Sequence, residues 1–100
     1  MGNKSTTGRI WMTSFCAVTV ETFTVVLSVQ SGKSGSWTWT LRIAKSNAVL
    51  DDGIAVSNGA AQVAAQRSFE ERLRRAGLDR YAPGEYLWKK QIAGEYIPRI

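Results

Sequence analysis

Ser36-Trp37-Thr38-Trp39-Thr40-Leu41-Arg42-Ile43 is the stretch that decides the fold of this chain. In an extended strand, side chains two apart share a face. Trp37, Trp39, Leu41 and Ile43 then line one face, and Thr38, Thr40 and Arg42 the other. That alternation predicts a half-buried strand. Upstream, Ser31-Gly32-Lys33-Ser34-Gly35-Ser36 is a glycine/serine connection of hairpin type. Before it, Ala17 to Val29 is rich in β-branched and aromatic residues. These favour a pleated surface and predict one long strand, or two joined near Glu21-Thr22. Phe23, Val25, Leu27 and Val29 share one face there, and Thr22, Thr24, Val26 and Ser28 the other. Arg9 to Thr13 reads as a short edge strand, and residues 1–8 as a flexible polar N-terminus. The first six residues match the N-myristoylation pattern, but a frayed polar end explains them without it.

Downstream, Lys45-Ser46-Asn47 predicts a turn and Ala48 to Val56 a third strand. Asp51-Asp52-Gly53 should interrupt that strand, as a bulge or a tight turn. Ser57 can cap a helix, since its hydroxyl can accept an orphan amide of the first turn; Asn58 could do the same. From Ala60 to Ala76 the period turns helical. Ala61, Ala65, Phe69, Leu73 and Ala76 make one apolar stripe. Glu70 with Arg74, and Glu71 with Arg75, stand four apart in the favourable order. Gly77 supplies a left-handed stop, and Arg72, Arg74 and Arg75 suit the negative end of the helix dipole. Residues 78–100 read as an irregular aromatic-basic arm with a turn at Pro83-Gly84. Within it Glu85 to Lys90 is a last strand or a docking arm. Tyr81, Tyr86, Trp88, Tyr96, Ile97 and Ile100 must pack back on the domain or meet a partner. The expected fold is one α+β domain over residues 1–100. It has an antiparallel sheet of three to four strands and one main helix packed on one face.

Composition bounds the chemistry. The chain is 44% hydrophobic and 21% charged, which suits a globular domain. No run of 18 apolar residues crosses a bilayer, and no signal peptide is legible, so the expected compartment is cytoplasmic and no membrane partner is expected. There is no histidine, and Cys16 is the sole cysteine. Histidine-based triads, Cys-His pairs and the usual zinc sites are therefore excluded. Cys16 reads as a small buried hydrophobe. Gly32-Lys33-Ser34 resembles the end of a phosphate-binding loop, but Leu27 stands where the first glycine belongs and a strand follows where a helix is required. Asp51 and Asp52 point to opposite faces of a strand and cannot share a proton or a metal. No paired general acid and base is present, so no catalytic residue, metal or cofactor is expected.

The net charge is +5. Residues 1–50 hold five basic residues and one acid, and the rest eight basic residues and seven acids. Basic residues beside aromatic ones are the live constellation, because rings stack on bases and cations neutralise phosphate. Trp37, Trp39 and Arg42, with Lys33 and Lys45 at the strand ends, are one candidate platform. Core packing under the helix is the competing role for the tryptophans. Trp88 with Lys89 and Lys90, beside Tyr86, is a second candidate. Arg72, Arg74, Arg75 and Arg80 at the helix end are a third.

The strand Trp37 to Ile43, the segment Leu50-Asp51-Asp52-Gly53-Ile54-Ala55-Val56-Ser57 and the alanine-rich helix together resemble a type of small phage and mobile-element protein. Such proteins pair a Trp-x-Trp strand and hairpin with one covering helix. The resemblance spans about Ser36 to Gly77. Some sheet-plus-helix proteins of this size are anti-CRISPR proteins, which block a host nuclease complex by binding it. The resemblance implies a non-catalytic binder that occludes a protein or nucleoprotein. The alternatives are a small single-stranded nucleic-acid binder using a basic-aromatic sheet face, and a self-assembling protein that pairs exposed strand edges.

Overall fold

The computed structural model describes residues 12–92. The elements are β1 (Met12–Val20), β2 (Phe23–Ser31), β3 (Trp37–Ile43), β4 (Val49–Ala55), α1 (Asn58–Arg75) and β5 (Lys89–Ile92). They form one antiparallel sheet, in the order β4-β3-β2-β1-β5, with α1 on one face. The architecture is the expected α+β one, but the sheet has five strands where three to four were expected. Two features account for the difference. The apolar run Ala17 to Val29 divides at Glu21-Thr22, where Glu21 takes a φ of 56° and the chain reverses. The arm then returns to the far edge, where β5 pairs with β1. The short strand expected at Arg9 to Thr13 lies outside the described residues except for Met12 and Thr13, which begin β1. The expected flexible N-terminus and Tyr96, Ile97 and Ile100 also lie outside them.

Register fixes the two faces. Cys16↔Leu27, Leu27↔Leu41 and Val29↔Trp39 stack across the strands under α1. The helix adds Ala61, Ala65, Phe69 and Leu73, all buried, whereas Ala76 is the exposed C-cap. Small alanines in the first half let the helix come close to the sheet. Ser57 caps α1 by accepting from the Ala60 amide at 3.1 Å. At the other end Gly77, φ 73°, sends its amide to the Arg74 carbonyl, and Leu78 sends its amide to that of Leu73. This is the Schellman arrangement, and Leu78 packs beside the core behind it.

Asp51-Asp52-Gly53 does not split the third strand. All three residues pair with β3, opposite Leu41, Thr40 and Trp39. The bulge falls one residue earlier: Leu41 faces Asp51 and Arg42 faces Val49, so Leu50 is the extra residue. Gly53 lies under the Trp39 indole, and a Cβ there would stand 2.6 Å from Trp39 Cζ2.

Candidate interaction surfaces

Three surfaces emerge, and the residues singled out in the sequence are divided among them. The first is the helix-covered face, which holds both strand tryptophans. Trp39 packs against the core cluster, and Trp37, half-buried, stands on the same face opposite Ala55. Arg42 is on the other side of the sheet, so the structure does not bring the tryptophans and Arg42 into one platform. Lys33 lies in a single 3-10 turn, and Lys45 is exposed in the β3–β4 turn.

Tyr86 and Trp88 also turn inward. The Tyr86 ring meets Phe69 edge-on at 6.5 Å, and its hydroxyl donates to Glu70 Oε2 at 2.6 Å. Burial first, and the Glu70 carboxylate second, push the Tyr86 phenol well above its ordinary value. Trp88 donates from Nε1 to Gln66 Oε1 at 2.8 Å. The arm therefore straps itself to α1 before joining the sheet. By register, Lys89 faces Phe15 and Lys90 faces Ser14, so the two lysines stand on opposite faces.

The second surface is the outer side and C-terminal end of α1. Arg67, Arg72, Arg74, Arg75 and Arg80 are all exposed. The expected Glu70–Arg74 pair is replaced, because Glu70 accepts the Tyr86 hydroxyl instead. Glu71 holds both Arg74 and Arg75, the latter at 3.2 Å. Arg72 donates to the Leu50 carbonyl at 2.5 Å. Arg80 stacks over Tyr81, 4.8 Å from the ring centre, and donates to the Gly77 carbonyl. Because Glu70 is drawn under the arm, this end is more positive than the sequence pairing suggests.

The third surface is the sheet face away from α1. β1 gives it Thr13, Phe15, Ala17 and Thr19; β2 gives Thr24, Val26, Ser28 and Gln30; β3 gives Thr38, Thr40 and Arg42. β4 adds Val49, Asp52 and Ile54, of which Ile54 is 75% exposed. A shallow groove of about 420 Å³ runs across it. Arg42 sits in this groove with Nη1 on Asn47 Oδ1 at 3.2 Å, and its Nε is enclosed without a partner. The sequence singled out Arg42 on this face and allowed an exposed sheet face as a contact surface, but did not mark its other residues, which are individually ordinary. Its signal was the polar alternate set of three consecutive strands.

Asp51 has a structural role. Its carboxylate accepts from Ser68 Oγ at 2.5 Å and from the Asp52 amide at 2.9 Å. The Ser68 bond above all holds its carboxyl below the usual value, against the effect of burial; the Asp52 amide and the Arg72 charge help. Burial raises the Cys16 thiol, opposed by a bond from the Leu87 backbone. Among the described residues no group of three His, Cys, Asp or Glu side chains could hold a metal. No described helix is long and apolar enough to cross a membrane. No protein-family model, curated protein or solved structure matches this chain.

Proposed function

We propose that this protein is a small non-catalytic binder that occludes a protein or nucleoprotein target. In this reading it acts as a phage or mobile-element inhibitor of host defence does, in the cytoplasm of the host. The observation that carries it is the arginine-rich end of α1. Arg67, Arg74 and Arg75 share one outer side of the helix with a single acid, Glu71, while Tyr86 draws Glu70 aside. Arginine forks bind carboxylates and phosphates in two-point geometry and recur as anchors in protein interfaces. Acidic protein surfaces and nucleic-acid backbones both suit that chemistry. Of the arginines the sequence suggests for binding, Arg75 lies on this side, whereas Arg72 is turned to the Leu50 carbonyl; Tyr86 and Trp88 hydrogen-bond to α1 from the arm.

The test compares tagged wild type with Arg67→Gln/Arg74→Gln/Arg75→Gln in capture from the native host. A macromolecule retained by the wild type and depleted at least about tenfold by the triple variant is the expected result. Identical capture by both would overturn the reading. Oligonucleotide binding in dilute salt, lost steeply as salt rises, would identify nucleic acid itself as the target.

A further inference from the structure

We infer that the sheet face left uncovered among the described residues is where two copies of this chain pair, face to face about a two-fold axis. Four observations carry this. First, the eight positions that the strands β1 and β2 give this face include no charged residue, and its charges, Arg42, Asp52 and Lys89, lie on the flanking strands β3, β4 and β5. The chain as a whole is 21% charged. Depletion of charge marks the centre of a protein interface, whereas a nucleic-acid surface is rich in lysine and arginine.

Second, the side chains are short and mostly β-branched. They lose little rotamer freedom when covered and interdigitate when two sheets stack about 10 Å apart. Third, the area is adequate. Strands about 4.8 Å apart and seven to nine residues long give a footprint of roughly 500–600 Å² before side-chain relief is counted. Stable interfaces cover about 800 Å² of accessible surface on each partner.

Fourth, the two charges on adjoining strands of this face are opposite. Asp52 stands beside Thr40, one register step from Arg42. In a two-fold interface each contact occurs twice with the roles exchanged. Arg42 of one copy over Asp52 of the other then satisfies both residues in both copies. The exposed Ile54 and Val49 of β4 form an apolar margin to that contact.

Sedimentation of the purified full chain tests this. The wild type should sediment as a dimer at high micromolar concentration. Arg42→Asp and Asp52→Arg should each sediment as monomers with unchanged far-UV circular dichroism. Their equimolar mixture should restore the dimer, because one copy then carries both acids and the other both arginines. Ser28→Arg, at the centre of the face, should also weaken pairing at least about tenfold. A monomeric wild type would overturn the inference, and so would a dimer that survives all three substitutions and therefore pairs elsewhere, such as at the β4 edge. Either result leaves the arginine-end reading standing, since that is read by target capture and uses other residues.

Discussion

At the scale of single residues, Gly53 and Tyr86 show how neighbours settle a role. Gly53 sits mid-strand, where glycine is unfavourable, because the Trp39 indole occupies the space a Cβ needs. Gly53→Ala should displace the ring and cost about 1–3 kcal/mol, read as a lower urea midpoint with shifted tryptophan emission. Tyr86 sends its hydroxyl to Glu70 in a half-buried setting. Its phenol is raised above 10, so the unfolded chain releases that proton first as pH climbs. The unfolded state then binds fewer protons than the folded one, and stability falls. Denaturation midpoints measured from pH 9 upward should therefore decline for the wild type. Tyr86→Phe should make that decline shallower, leaving the part due to the raised Cys16 thiol, and cost about 0.5–1.5 kcal/mol at neutral pH.

At the scale of elements, β4 and α1 are tied by side chains as well as packing. Asp51 holds Ser68 on the helix, and Arg72 on the helix holds the Leu50 carbonyl. The Asp51 carboxylate also occupies the Asp52 amide, so part of the outer edge of β4 is already bonded. Such capping discourages the edge-to-edge pairing that a bare strand invites. Asp51 is depressed in the folded state, so its contribution is complete above its ordinary value of 3.8 and disappears as pH falls through the lower folded value. Ser68→Ala should raise the folded value, and acid titrations followed by circular dichroism should show a smaller loss of stability from this group. The helix start depends on one hydroxyl: Ser57→Ala should cost about 1 kcal/mol in thermal or urea melts.

At the scale of the whole molecule, one core joins the helix to the three central strands. Phe69 is 2% exposed and lies between the sheet and the Tyr86 ring. Phe69→Ala should cost about 3–5 kcal/mol. Tryptophan fluorescence and far-UV circular dichroism should lose signal together in urea, because strands, helix and arm share that ring. A variant that melted like the wild type would show that the stripe does not hold the domain. With one face closed by α1 and the other uncovered among the described residues, the chain has a built side and a presented side. The proposed pairing assigns the presented side to a second copy and leaves the arginine end free for a target.

The helix stripe from Ala61 to Leu73, both caps and the alternation of β3 follow from local periodicity, so residue order alone carried them, whereas for Ala17 to Val29 it left open one long strand or two. The lack of histidine and of a second cysteine is likewise a matter of residue types. Strand order, the return of Lys89–Ile92 to the far edge, and the inward turn of Tyr86 and Trp88 were decided only by the tertiary structure. So was the diversion of Glu70 from Arg74. The reason is range: turn chemistry and side-chain period act over a few residues. The contacts that place the arm, expose the polar face and unbalance the arginine end join residues far apart in the chain, and they exist only once the core has closed.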